Sequence, residues 1–330
     1  MFPGVVSEPY SMVRLGPDVE DGATDAYSGY LPTGHVWGFS MMHESGTGGA
    51  PKYGVVSQMP AHGHVHNPLV DLGRNRRIND RAKVGYYKST LVGEIEVELA
   101  ATAHAGMYQY TFPPGENSVV VDVSHVLPSF RGLGWGQGYA GGSFQLTENG
   151  YTGHGMYNNG WNLAPDWQVF FCGYFDQVAT SRKTFTSVND LGKNNKLATY
   201  GSLESTNGTS RQGGVFVFNN ISVTSRVGIS FISSDKACHN VQTEIPKGTK
   251  LQSLVQSAQA KWNKEIFQKV TTTETSHTVL TQLYSYLYGM FLIPSNRTGE
   301  QPLWDSKEPQ FDDFFTVSKH QHIGCLKDMS

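Results

Sequence analysis

Along most of residues 1 to 250, apolar positions either alternate with polar ones or run together without charge. Gly93-Glu94-Ile95-Glu96-Val97-Glu98-Leu99 alternates polar and apolar residues, which predicts a strand with one buried face. Asn117 to Val123 is an unbroken β-branched run, which predicts a strand buried on both faces. The same reading predicts strands at Val13 to Leu15, Val36 to Met42, Tyr53 to Gln58, Gly85 to Lys88 and Met107 to Phe112. Four more are predicted at Ser143 to Glu148, Gln168 to Asp176, Val215 to Asn219 and Arg226 to Ser233. Pro113-Pro114-Gly115 marks a turn. So many short strands without helical spacing between them predict an all-β region folded as a large two-sheet antiparallel sandwich.

After Gly248 the period changes. Leu251, Leu254, Val255, Ala258, Trp262, Ile266 and Phe267 recur at three and four residues, as on one face of a helix. Val279, Leu280, Leu283, Leu287, Tyr288 and Phe291 predict a second helix, ended by Pro294.

Composition narrows the chemistry. The net charge of −3 over 330 residues favours neither nucleic acid nor an anionic membrane, and no apolar run approaches a membrane span. Only 16% of residues are charged, 12% are aromatic and 37 are glycine, a balance that suits a neutral, hydroxyl-rich ligand. Cys172, Cys238 and Cys325 allow at most one bridge and show no metal-ligand spacing. The oligomeric state is not legible.

The stretch from His35 to Pro60 concentrates candidate chemistry. A strand carrying Trp37 and Phe39 is predicted to end near Ser40. A glycine loop then presents His43, Glu44, Ser45 and Gly46, and a second strand follows. Glycine lets backbone approach a ligand closely, so such a loop suits a site wall, although a plain turn fits the composition too. Arg131 to Tyr139, RGLGWGQGY, sets Trp135 among glycines, where an exposed indole would stack on a sugar ring. Trp161 and Trp167 read as core or turn residues. His62, His64 and His66 alternate but are interrupted by Gly63 and followed by Pro68, so they read as a solvated loop rather than a metal site. The basic run Arg74, Arg76, Arg77, Arg81 and Lys83 is interspersed with Asp80 and reads as a solvated loop rather than a phosphate patch.

Two motifs carry a resemblance. Phe2 to Asp18, FPGVVSEPYSMVRLGPD, and GFSMMHESGTGG from Gly38, followed by Tyr53-Gly54 and Gln58-Met59-Pro60, resemble the hallmarks of glycoside hydrolase family 92, the calcium-dependent exo-α-mannosidases. His43 matches the second histidine of the family pattern; Met41 replaces the first, and Glu44 replaces a leucine, as in the fungal branch.

The resemblance implies a galactose-mutarotase-like sandwich over 1–250 and a linker helix over 251–270. It further implies the start of a truncated (α/α)6 barrel over 271–316, with 317–330 an atypical tail. It implies an inverting α-1,2-mannosidase acting on N-glycans or mannan, with a mannose-containing glycan as partner. Trp37, His43, Glu44, Ser45, Gly46 and Trp135 are the implied substrate-binding residues. No residue matches the family's catalytic acid or base, so no catalytic or metal-binding residue is assigned. Calcium is expected in the full-length enzyme and not in this stretch alone. A non-catalytic sugar-binding module is the alternative. Secretion follows from the resemblance and is compatible with the sequons at Asn207, Asn220 and Asn296. The start inside the first motif leaves no room for a signal peptide, so the alternatives are a cytoplasmic protein or a gene model that has lost its first exon.

Overall fold

The computed structural model describes residues 5–20, 30–43, 54–70, 72–126, 137–159, 164–188, 195–292, 294–302 and 311–312. In chain order the strands are β1 (Gly16–Glu20), β2 (His35–Met41), β3 (Val55–His62), β4 (Arg81–Lys83), β5 (Tyr86–Leu91) and β6 (Ile95–Ala101). Next come β7 (Ala105–Thr111), β8 (Asn117–Asp122), β9 (Gln137–Thr147), β10 (Gly150–Asn159) and β11 (Ala164–Phe175). β12 (Ser181–Ser187), β13 (Leu197–Ser202), β14 (Thr206–Gly208), β15 (Gln212–Phe218) and β16 (Ser222–Ser230) complete two antiparallel sheets. One sheet has seven strands in the order β1-β2-β3-β8-β15-β12-β13; the other has nine, β14-β9-β10-β11-β16-β7-β6-β5-β4. The expected sandwich is present.

The two clearest patterns hold. β8 is buried at every position: it lies between β3 and β15, Val119 and Val121 face the other sheet, and Val120 on the outer face is covered by Val65 and Leu69. β6 alternates as predicted, with Ile95, Val97 and Leu99 turned into the core. Between the sheets, Phe39 and Val121 meet Tyr110, Tyr151 and Phe171 in one apolar cluster. Gln58 of β3 crosses that core. Its amide nitrogen donates to Tyr151 Oη and Ser225 Oγ, and its carbonyl accepts from Tyr110 Oη, each at 2.9 Å. A buried amide satisfied this fully fixes the alignment of one sheet on the other.

Three expectations need correction. The strand expected at Val13 to Leu15 instead forms at Gly16–Glu20, with Leu15 in a single bridge to Val6. β10 was not foreseen, since no strand is predicted between Glu148 and Gln168. Its glycines clear space for rings: a Cβ at Gly155 would sit 2.3 Å from Tyr157 Oη, and one at Gly153 would sit 2.7 Å from Phe171 Cζ. The region before 250 is also not all-β, because α1 (Ser234–Glu244) follows β16 directly. Ser233 Oγ accepts from Lys236 N at 3.1 Å and caps it, a contact of about 1 kcal/mol. Helix α1 lies close on the nine-stranded sheet over Gly228, where a Cβ would meet the Ala237 carbonyl at 2.2 Å. A disulfide between Cys172 of β11 and Cys238 of α1 holds it there.

The predicted helices form as α2 (Leu251–Glu265) and α3 (His277–Leu292). On α2, Leu254, Val255, Ala258 and Trp262 are buried as the periodicity required. On α3 only Tyr288 and Leu292 are buried, and Val279 is 45% exposed, so described residues leave much of its stripe uncovered. The opening segment clamps these helices to the sandwich. Arg14, almost wholly buried, donates from Nε to the Leu292 carbonyl at 2.6 Å and from Nη2 to Ser295 Oγ at 2.7 Å. Trp262 Nε1 donates to the Ser7 carbonyl at 2.9 Å, and Lys261 pairs with Glu8 at 2.6 Å.

Candidate functional site

The site is built where β1, β2, β3, β8 and β15 come together. Asp18 of β1 pairs with Gly38 of β2, and Asp122 of β8 lies between Ser57 of β3 and Gly213 of β15. Asp18 is fully buried. Its Oδ1 is 2.7 Å from His43 Nε2 and accepts from Ser40 Oγ at 2.9 Å; its Oδ2 is 2.7 Å from His125 Nε2. Gly38 makes this approach possible, since a Cβ there would lie 2.3 Å from Ser57 Oγ and 3.2 Å from Asp18 Oδ2. Met42 (φ 61°) and Val56 (φ 52°) hold left-handed backbone on either side of the same loop. For a β-branched residue that is costly, and it marks a backbone held by its surroundings.

Beside the Asp18 cluster lies a cavity of about 310 Å³. Its wall includes Trp37, Ser57, His125, Asp122, Arg211 and Asn195. The Trp37 and His125 rings meet edge to face at 5.5 Å. Arg211 donates to Asp122 Oδ2 at 2.8 Å and to Asn195 Oδ1 at 2.9 Å. One polar chain therefore runs from the cavity wall at Trp37 through His125 and Asp18 to His43.

Burial alone would raise the Asp18 carboxyl, but His43 and His125 beside it outweigh that and hold it well below the usual carboxylate range. Asp122 behaves likewise: burial raises it, and Arg211 brings it below its ordinary value. Both carboxyls therefore release their protons more readily in the folded than in the unfolded chain. Their stabilising contribution is complete above about pH 5, one unit above the ordinary Asp value, and is lost as pH falls through that value toward the folded ones. Urea midpoints measured between about pH 5 and pH 3 should fall steadily; a flat profile would mean neither carboxylate is paired as described.

The arrangement suits binding better than nucleophilic attack. Ser40 Oγ and Asp18 Oδ1 both approach the same nitrogen of His43, whereas a catalytic triad places serine and aspartate on opposite ring nitrogens. Ser40 is also fully buried. The calcium implied by the family resemblance does not fit the described residues. Calcium takes about six to eight oxygen ligands. The buried Asp18, Asp122, Glu8 and Glu300 each already face a basic side chain. Among the described residues no group of three or more His, Cys, Asp or Glu could hold a metal.

Of the expected site residues, Trp37 lines the cavity and His43 is fully buried behind its wall. Glu44, Ser45, Gly46 and Trp135 lie outside the described residues, as do Trp161 and the tail after 312. Trp167 packs on Tyr157 at 5.3 Å, in keeping with a core reading. His64 pairs with Glu116 at 3.2 Å, and His62 bonds Asn117 at 2.8 Å. Arg76 pairs with Asp80 at 2.7 Å, and Arg77 with Glu94 at 3.0 Å, so these two cations of the basic run are engaged within the fold. Asp122, His125 and Arg211 escaped the sequence reading. Asp18 closed a quoted motif without being singled out, and in Gly16-Pro17-Asp18-Val19-Glu20 nothing local sets it apart from the neighbouring Glu20.

The Glycosyl hydrolase family 92 N-terminal domain profile matches residues 1–230, and the family's catalytic domain profile matches 236–323. The chain belongs to glycosyl hydrolase family 92. An uncharacterized secreted glycosidase of Arthroderma benhamiae is 27% identical, over 99% of this chain and 44% of that protein. A family GH92 alpha-mannosidase of Bacteroides thetaiotaomicron superposes with a TM-score of 0.76 at 21% identity, over 94% of this chain and 42% of that one. The same enzyme in complex with mannoimidazole gives a TM-score of 0.75 at 21% identity, covering 94% of this chain and 41% of the other. These likenesses establish the family 92 sandwich fold, and the chain spans less than half the length of the relatives it matches. Among the described residues no helix is long and apolar enough to cross a membrane.

Proposed function

We propose that this chain is the sandwich half of a family 92 α-mannosidase, which removes terminal mannose, in α-1,2 linkage, from N-glycans or mannan. The cavity beside Trp37 is the observation that supports this most. It joins an aromatic face to the amide and ionic groups of Asn195, Asp122 and Arg211, and a sugar ring presents apolar faces rimmed by hydroxyls. In this reading Trp37, Glu44, Ser45, Gly46 and Trp135 form one wall of the mannose site, and His43 positions it through Asp18.

Hydrolysis with inversion needs an acid and a base about 6.5–9.5 Å apart across the scissile bond. The buried carboxylates described here are tied to basic partners, so the chain alone is proposed to be inactive. The division into a sandwich over 1–250, a linker helix over 251–270 and a barrel start over 271–316 belongs to the same proposal. Secretion is proposed too, because the Cys172–Cys238 bridge suits an oxidising compartment and the fungal relative is described as secreted.

The test uses an intact family α-mannosidase with its matching tryptophan changed as in Trp37→Ala. About a fivefold rise in KM is expected, from the loss of ~1 kcal/mol of ring contact, with an unchanged circular dichroism spectrum. Unchanged kinetics would remove the wall from the site. A second reading, a non-catalytic sugar-binding module, is favoured by a cavity lined by sandwich residues alone. Calorimetry of this chain with mannobiose separates the two, since an absence of heat at millimolar ligand would sink the module.

A further inference from the structure

Three Asn-X-Ser/Thr triplets stand outside the site, and their surroundings differ. Asn220 lies in the exposed turn between β15 and β16, next to Ile221, which is 53% exposed. That turn adjoins the Asn117 end of β8, whereas the cavity lies at the Asp122 end, roughly 17 Å away along an extended strand. Asn207 is exposed on β14, the terminal strand of the nine-stranded sheet. Nearby in sequence, Leu203 is 67% exposed. No hydrogen bond among the described residues engages the side chain of Asn207 or Asn220. Asn296 is different. It is exposed as well, but it is tied down on both sides of its side chain: its Oδ1 accepts from Thr298 N at 3.0 Å and from Thr298 Oγ1 at 2.6 Å, its backbone N donates to the Tyr10 carbonyl at 2.8 Å, and its neighbours Ser295 and Arg297 are buried.

We infer that Asn207 and Asn220 are N-glycosylation sites and that Asn296 is not. In the transfer, Asn Nδ2 forms a bond to C1 of the reducing sugar of a lipid-linked diphosphate oligosaccharide. The bond from C1 to the diphosphate oxygen breaks, the lipid diphosphate leaves with the electron pair, and the Nδ2 proton passes to a base of the transferase. The folded chain accommodates the product at both positions. A glycan on β14 covers an open sheet edge, and one on Asn220 covers Ile221, two surfaces on which chains would otherwise associate. The inference rests on the secretory routing proposed above.

Native protein captured by antibody from its source is to be treated with peptide N-glycosidase in heavy-oxygen water, digested with trypsin and mapped. Cysteines are alkylated before reduction so that the Cys172–Cys238 bridge is scored on the same sample. Asn converted to Asp carrying heavy oxygen is expected in the peptides Leu197–Arg211 and Gln212–Arg226, and unlabelled Asn296 in Val270–Arg297. Unlabelled Asn207 and Asn220 with the bridge formed would overturn the glycan assignment and leave the routing intact. Unlabelled sites with both thiols free would overturn the assignment and the routing together. Label confined to Asn296 would overturn the selection by structure.

Discussion

Asp18→Asn is expected to lower the free energy of unfolding by about 3–5 kcal/mol, the usual cost of breaking a buried charge cluster from one side. The substitution barely changes volume, so the loss isolates charge and hydrogen bonding. An amide in place of Oδ1 or Oδ2 turns an NH2 group toward one of the histidines, each of which lies 2.7 Å from the carboxylate. His43 is fully buried, and Gly38 and Ser57 crowd Asp18 from one side, so the new amide meets His43 at close range. Equilibrium urea unfolding followed by far-ultraviolet circular dichroism measures this directly. The acid limb of the stability profile should also become shallower, since the strongest of the depressed carboxyls is gone. A loss below about 1 kcal/mol would show that Asp18 acts only as a packing residue.

Trp262→Ala is expected to have a cost of similar size but a different reach. Trp262 is fully buried, lies 4.5 Å from the Tyr288 ring, and closes the small cluster formed with Ile266 and Leu292. Removing a buried indole typically costs about 3–5 kcal/mol, part of it from the cavity left behind. The Ser7 carbonyl also loses its donor. The damage should fall on the attachment of α2 and α3 and spare the two sheets, whose core is a separate cluster. Limited trypsin digestion should therefore cut first at Lys264 and Lys269, well before any site in the sandwich. Simultaneous loss of sandwich and helix peptides would show instead that the chain unfolds as one unit.

Sequence pattern was most informative where one residue's neighbours decide its burial. The alternation at β6 and the β-branched run at β8 translated directly into half-buried and fully buried strands. The stripe from Leu251 to Trp262 translated into α2. Pattern failed where cross-strand partners decide instead. In β10, Gly153 is required because Phe171 of the neighbouring β11 takes the room a side chain would need, and local spacing holds no trace of that. Helix α1 was hidden because its inward face is short, with Ala237 and Val241 packed over Gly228. The site shows the same limit. Trp37 and His43 fell within one motif, but Asp122, His125 and Arg211 join them only because β8 and β15 are neighbours in the sheet order. Even His43, visible in the motif, is oriented by a carboxylate that precedes it by a whole strand and loop.

The clamp formed by the opening segment has a consequence for how the chain is made. The bond from Arg14 to the Leu292 carbonyl spans 278 positions. At a synthesis rate of about 5–20 residues per second, roughly 14–56 s separate the emergence of the two partners. During that interval the sheets can assemble around Val13 and Leu15, yet the bonds from Arg14 to the Leu292 carbonyl and to Ser295 cannot form. The nascent sandwich therefore passes through a stage without its closing clamp, and the third helix completes it on arrival. Ribosome-bound chains stalled before residue 292 should bind chaperones, and chains stalled far enough beyond it should let them go.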